Sequence, residues 1–359
     1  MIIESLELSD YRNYDKLSLQ FDKGINILYG DNAQGKTNVL EAMYLCSTTK
    51  SHRGSKDREM IRLGQDEAHI RMFTAREEIS HKIDMHLKKN KPKGIAIDGI
   101  PIRKSGELLG FIHIVFFSPE DLSIIKNGPG ERRRFIDMEL CQLDKVYLYN
   151  LSKYNKIIVQ RNNLLKQISY SDSLRDTLEV WDQQLVICGK EVIKARKQFI
   201  DQLNSITYEI HKKLSGGREE LIIQYEPNVT ADVLEEKLIK SIDRDIHTRM
   251  TSVGPHRDDI LFMIDGIDIR KFGSQGQQRT SALSLKLSEI ELVRRIIKDE
   301  PILLLDDVLS ELDRKRQTYL LDSIDNIQTF VTCTGLEEFV NQRVKINKTF
   351  HVVKGSIQE

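Results

Sequence analysis

Residues 30–37 read GDNAQGKT, which fits G-x-x-x-x-G-K-T and stands between two kinds of sequence. Ile25 to Tyr29 before it is a short apolar run, and NVLEAMYLC after it carries a helical pattern. A strand, a glycine-bearing turn and a helix in that order let backbone amides curl round phosphate oxygens at the positive end of the helix. Lys36 is placed to reach β- and γ-phosphates, and Thr37 to set its hydroxyl on Mg²⁺. The expected nucleotide loop is therefore Gly30, Asp31, Asn32, Ala33, Gln34, Gly35, Lys36 and Thr37.

A partner motif stands near the other end, PILLLDDVLSELD at 301–313. Ile302 to Leu305 is apolar throughout, as in a strand buried on both faces of a parallel sheet. Asp306 at its tip can hold Mg²⁺, as phosphoryl-transfer sites require, and Asp307 can polarise an attacking water. Upstream of it, FGSQGQQRTSALSLKLSEIELVRRI (272–296) opens an amphipathic helix with Gly and Ser, a second potential anion site. One head offers one γ-phosphate, already surrounded by its own loop, so this second site would address another subunit's nucleotide. Taken alone, Ser274 reads better as an ordinary N-cap, since serine is a common cap.

Around these motifs the 359 residues carry 54 Lys+Arg against 54 Asp+Glu. That balance excludes a generic polybasic nucleic-acid binder, so any DNA contact must be local. The length favours two lobes, or one domain with a large insertion. Four scattered cysteines without a CxxC pair suggest neither a disulfide framework nor a zinc site. MIIESLELSDYRNY alternates like a strand and lacks the features of a signal peptide, and no run approaches the roughly 18 apolar residues of a membrane span. A reducing cytoplasm is the expected compartment.

Strand patterns also fill 69–103 and return after Gly254-Pro255, each with an Asp-Gly hairpin signal, at 98–99 and 265–266. From Glu131 to about Leu214 there is no proline and apolar residues recur at helical spacing, as in Leu164, Leu165 and Ile168, then Leu178, Trp181, Leu185, Ile187 and Cys188. These helices read as too short and irregular for a long coiled coil. The fold class expected is α/β: a head with a β-rich N-terminal part and a parallel-sheet core (1–115 and 250–359), interrupted by a mainly helical lobe (116–249).

The order of phosphate loop, S-x-G-Q before a helix, four apolar residues with Asp-Asp, then S-E-L-D resembles an ABC-type ATPase head of the SMC-like class. Within that class the chain is similar to the RecF family of bacterial recombination proteins. SDYRNY (9–14), FSPEDLSIIKNGPGERRRFID (117–137) and SVGPHRDD (252–259) carry that likeness beside the motifs above. The resemblance implies ATP and Mg²⁺ on Gly30, Gly35, Lys36 and Thr37, with Asp306 on the metal and Asp307 activating water. It implies that Ser274, Gly276 and Gln277 contact the γ-phosphate of a partner head, that Ser310 to Asp313 line that interface, and that Arg12 and Asn13 lie near the nucleotide. A slow, DNA-stimulated ATPase is implied, dimerising on ATP to clamp DNA at gaps. It would support recombinase loading with RecR and RecO and be linked to replication and SOS induction.

Five positions depart from the wider pattern. Asp307 stands where many heads carry Glu, and Gln275 where the signature's first glycine usually falls. FFSPEDL leaves no glutamine for a Q-loop. TFVTCTG lacks a switch histidine, leaving Thr332 or Thr334 to sense phosphate. Asn127 replaces a glycine.

For DNA the sequence offers Arg53 and Lys56 after the loop helix, Lys88 and Lys89 in a basic turn, and Arg132 and Arg133 before the helical lobe. None is interleaved with aromatics for base stacking, which favours backbone-directed duplex binding. Two other readings stay open: the nucleotide-binding subunit of a transporter, and an ATP-dependent scaffold without DNA.

Overall fold

The computed structural model describes residues 1–77, 79–168, 172–324, 326–336 and 345–358. By packing, the chain divides into two compact units, Met1–Asp121 with Glu289–Glu359, and Leu122–Ser288.

The first unit holds two six-stranded sheets. One is antiparallel, built from β1 (Ile2–Tyr11), β2 (Tyr14–Gln20), β4 (Glu67–Arg76), β5 (Ile79–Lys88), β6 (Lys91–Ile97) and β7 (Ile100–Pro101), in the order β2-β1-β4-β5-β6-β7. Its strands alternate as a one-sided sheet must: along β4, Ala68, Ile70, Met72 and Thr74 are buried, while Glu67, His69 and Arg71 face out. The hairpin expected at Asp98-Gly99 closes β6 onto β7, with Asp98 at φ 52°.

The other sheet contains β3 (Ile25–Tyr29), β8 (Ile114–Phe117), β12 (Ile302–Asp306), β13 (Thr329–Cys333), β14 (Lys348–Val353) and β15 (Ser356–Gln358), in the order β15-β14-β3-β13-β12-β8. All its pairings are parallel except the edge strand β15. Every residue of β12 is buried, which its unbroken apolar run required. Helix α1 (Lys36–Thr48) packs against both sheets, and Val39, Leu40, Ala42, Met43, Leu45 and Cys46 are all buried. Helix α10 (Arg314–Ser323) starts at Asp313, whose side chain caps it through the Arg316 amide.

The second unit contains α2 (Leu122–Lys126), α3 (Pro129–Leu143), α4 (Lys145–Ile168), α5 (Leu178–Leu214), α6 (Leu234–Lys240), α7 (Ile242–Thr248) and the short α8 (Ile269–Phe272). A small antiparallel sheet, β11-β10-β9, is formed by β9 (Leu221–Glu226), β10 (Asp259–Ile264) and β11 (Ile267–Asp268). Pairing of β10 with β9 keeps residues after 250 with this unit. The division therefore falls at 288/289, later than the return at 250 expected from strand character. Helix α9 (Gln275–Ile297) runs through that division.

Helix α5 spans 37 residues, longer than its irregular spacing suggested. It packs along α4, and Ile187, expected on its apolar stripe, is instead 63% exposed. Gly189 makes the close approach possible, since a Cβ there would lie 2.9 Å from Leu234 and 3.3 Å from Tyr154.

Candidate nucleotide site

The loop after β3 folds because two of its residues take conformations only glycine holds without strain. Gly30 has φ 144° and Gly35 φ 117°, and a Cβ at Gly35 would fall 2.5 Å from Asn13 Nδ2. Asn13 and Tyr14 seat the loop from the neighbouring hairpin: Asn13 Nδ2 donates to the Gln34 carbonyl (2.8 Å) and Tyr14 Oη to that of Gly35 (3.1 Å). From the far end of the chain, the amides of Lys354 and Gly355 bond Gln34, at 2.6 Å to its side chain and 3.1 Å to its carbonyl. Asp31, Asn32 and Ala33 form the exposed rim of the loop.

Lys36 Nζ donates to the carbonyls of Gly30 (2.6 Å) and Asp31 (2.8 Å), using two of its three protons to arch over the loop. Burial lowers its pKa from the ordinary lysine value, against the opposing pull of Asp307 and Asp306.

Four residues from three elements meet beside it. The Thr37 hydroxyl donates to Asp306 Oδ1 at 2.7 Å, and the Thr332 hydroxyl donates to the same oxygen at 2.7 Å. Thr332 Oγ1 in turn accepts the Asp307 amide at 3.0 Å. Parallel pairing of β12 with β13 dictates this, for it sets Asp306 opposite Thr332. Asp307 is left-handed at φ 55°, which turns the chain sharply off the strand end. Ser310 Oγ donates to the Asp307 carbonyl at 2.8 Å, tying the following turn to it.

Asp306 is 7% exposed, and burial raises its pKa, offset partly by hydrogen bonds from Thr332 and Thr37 and by the charge of Arg53. A buried carboxylate whose direct partners here are two neutral hydroxyls suits a hard cation, and Thr37 and Asp306 supply the oxygen donors Mg²⁺ takes. The residues fit that ion. Strand β8 ends beside β12 with Phe117 opposite Leu305, which brings Ser118 to the strand end at the level of Asp306. Ser118 thus occupies the edge where the sequence offered no glutamine.

Arg12 does not point its charge into the loop. It forms a two-pronged pair with Glu41 of α1, Nε to Oε2 at 2.7 Å and Nη2 to Oε1 at 2.6 Å. Glu41 is wholly buried and also accepts from Ser51 at 2.5 Å. Burial would raise its pKa, but the bonds from Arg12 and Ser51 outweigh that and hold it below the usual value. No local pattern marks Glu41, because a charge on an amphipathic helix ordinarily reads as its solvent face.

The second candidate motif lies in the second unit. Ser274 accepts the Gln277 amide at 3.2 Å while the Gln277 side chain accepts the Ser274 amide at 3.0 Å, a reciprocal cap for α9. Gln277 also donates to Glu219, and a Cβ at Gly276 would meet only Ser274 Oγ, at 3.9 Å. Ser274 therefore caps α9, as its N-cap reading expected.

The DNA candidates separate. Arg132 is 4% exposed, bound to Asp259 at 2.5 Å and to the carbonyls of Ile124, Ile125 and Asn127, so it holds a helix end and is withdrawn as a DNA contact. Arg133 is half-buried and donates to the Asp258 carbonyl at 2.6 Å. Lys89 is exposed with Asp66 3.5 Å away, Lys88 is half-buried, and Arg53 and Lys56 are exposed.

A parallel sheet with a phosphate loop after one strand and paired aspartates at the tip of another, joined by Thr37, defines an ABC-type ATPase head of the SMC-like class. The family described as the RecF/RecN/SMC N terminal domain matches residues 2–358. The chain is 65% identical over 359 residues to the DNA replication and repair protein RecF of Lachnoclostridium phytofermentans, covering all of both, and 62% identical to that of Agathobacter rectalis, covering 100% and 99%. A solved structure of the recombination mediator protein RecF with ATP, in the RecFOR pathway, superimposes with a TM-score of 0.93 at 36% identity, covering 99% of this chain and 96% of that one. The Smc head domain of Pyrococcus furiosus, at 17% identity and a TM-score of 0.58, shares the fold. The chain belongs to the RecF family. Among the described residues no helix is long and apolar enough to cross a membrane.

Proposed function

We propose that this chain is an ATP-dependent DNA-binding protein of replication and recombinational repair, a slow ATPase that DNA stimulates. The observation that carries the reading is the Thr37–Asp306–Thr332–Asp307 chain of hydrogen bonds beside Lys36, in a member of the RecF family. Its relatives are named as replication and repair proteins, and one is solved with ATP.

In this reading the loop amides and Lys36 bind the phosphates of ATP. Thr37 and Asp306 hold Mg²⁺, which when bound neutralises charge on the transferring phosphoryl group. Asp307 orients and deprotonates the attacking water, held in place by Thr332 and Ser310. Arg12 sets the start of α1 through Glu41, and Asn13 sets the loop, both as positioning residues. Ser274, Gly276 and Gln277 meet the γ-phosphate of a second copy, exchanging part of their cap for that contact. Arg53, Lys56, Lys88, Lys89 and the half-buried Arg133 supply local positive charge for the duplex backbone on a net-neutral chain. RecR and RecO are the expected partners, and recombinase loading at gaps and SOS induction the expected outcome.

The test is the steady-state ATPase rate with and without duplex DNA. Stimulation severalfold, lost in Lys36→Met, is expected. A rate indifferent to DNA would favour an ATP-dependent scaffold.

A further inference from the structure

The outer face of the antiparallel sheet carries a cluster that the nucleotide chemistry does not use. Glu67 and His69 lie two residues apart on β4 and so share a face, and His86 on β5 stands directly opposite His69. One ligand atom from each of Glu67, His69 and His86 lies within 4.8 Å of the other two. His86 Nε2 is 2.8 Å from one oxygen of Glu67, and His69 Nε2 is 3.9 Å from the other. The two imidazoles stack with ring centroids 3.9 Å apart and planes 24° from parallel.

Several features make this more than a polar surface patch. A pair of stacked imidazoles is tolerable only while at least one is neutral, and neutral imidazole is the metal-binding form. Burial and the neighbouring His86 both push the pKa of His69 down, and the His86 contact holds Glu67 below its ordinary value. His69 and His86 line a groove of about 430 Å³ together with Glu7, Asp84 and Arg71, and Glu67 lies outside that lining. Two cations flank the cluster: Lys88 stands opposite Glu67 in the register of β4 and β5, and Arg71 is paired with Asp84 at 2.7 Å and Glu7 at 3.3 Å. Gly94 of β6 lies opposite His86, where it adds no side chain over the imidazole.

We propose that Glu67, His69 and His86 form a surface site for a borderline divalent transition cation, Zn²⁺ being the representative ion. Two imidazole nitrogens and one carboxylate are the donor set that selects zinc, nickel or copper over magnesium or calcium. Bonds of roughly 2.0–2.2 Å to a tetrahedral ion place ligand atoms about 3.3 Å apart, between the two separations seen here. Small rotations of the His69 ring and the Glu67 carboxylate close the set, and the groove leaves the fourth position to water.

The test is calorimetric titration of the full, untagged, nucleotide-free chain with ZnSO₄. Wild type should bind one Zn²⁺ per chain with a Kd in the micromolar range. His86→Ala and His69→Ala should each weaken binding at least tenfold, His86→Cys should retain it, and His81→Ala, elsewhere on the sheet, should leave it unchanged. All should keep wild-type ATP binding and melting temperature. Wild type without binding below millimolar Zn²⁺, or His69→Ala and His86→Ala variants that bind as tightly as wild type, would overturn the assignment.

Discussion

The Thr37 hydroxyl donates a 2.7 Å hydrogen bond to Asp306, joining residues 269 positions apart in the chain. The pairing sets the start of α1 against the tip of β12, so phosphate loop and acidic strand end are joined directly. Thr332 completes the arrangement from β13 by holding Asp306 with its proton and the Asp307 amide with its lone pair.

Thr332→Val keeps the shape but removes both bonds. The Asp307 amide loses its partner and Asp306 keeps Thr37 alone, a cost of about 1–3 kcal/mol in stability. The ATPase rate should fall at least tenfold while nucleotide affinity changes less than threefold, read by steady-state kinetics beside equilibrium binding.

Asp307→Asn should spare ATP binding and reduce turnover about a hundredfold or more, the scale of a lost general base. Single-turnover hydrolysis with prebound ATP measures it directly. A variant hydrolysing at the wild-type rate would move the water-activating role elsewhere.

Arg12→Ala leaves the Glu41 carboxylate buried without its cation, which should cost about 3 kcal/mol or more in chemical denaturation. Adding Glu41→Gln should recover part of the loss. Glu41 has its folded pKa held below 4.5. Its contribution is therefore fully present above that value and lost as pH falls through the lower folded one. Glu41→Gln should accordingly flatten the stability curve on the acid side.

His256 gives a second pH signature, in the other unit. Its Nδ1 accepts from Tyr154 at 2.7 Å and its Nε2 donates to the Thr251 carbonyl at 2.9 Å, which defines a neutral ring. Burial, with Arg257 and Arg133 nearby, lowers its pKa from 6.5 to about 4, against the opposing hydrogen bond to the Thr251 carbonyl and the weaker influence of Asp245. Below pH 6.5 the unfolded chain takes up a proton that the folded ring refuses. Stability should fall as pH drops from about 6.5 to about 4, by at most about 3 kcal/mol. His256→Gln should remove that slope in urea titrations at stepped pH.

The head was legible because its chemistry is local in sequence. GDNAQGKT and LLLDD each carry their own strand and turn, and parallel pairing then admits few ways to bring them together. Thr332 was visible only as a substitute for a missing histidine; its role depends on register with Asp306, which no local pattern states. The partners of Glu41 and Arg132 were hidden for a related reason. Charges read as solvated faces until tertiary structure supplies partners, here Arg12 and Asp259. The cluster of Glu67, His69 and His86 comes from two strands meeting across a hairpin, with ligands 19 residues apart. No metal-binding spacing runs along the chain itself.

In the proposed function, nucleotide bound to one head would be completed by Ser274, Gly276 and Gln277 of another. Light scattering of the purified chain at micromolar concentration, with ATP and Mg²⁺, reads that assembly, wild type beside Lys36→Met. Wild type should shift from monomer to dimer on adding ATP, and Lys36→Met should stay monomeric. A wild type that remains monomeric with ATP bound would rule the shared site out.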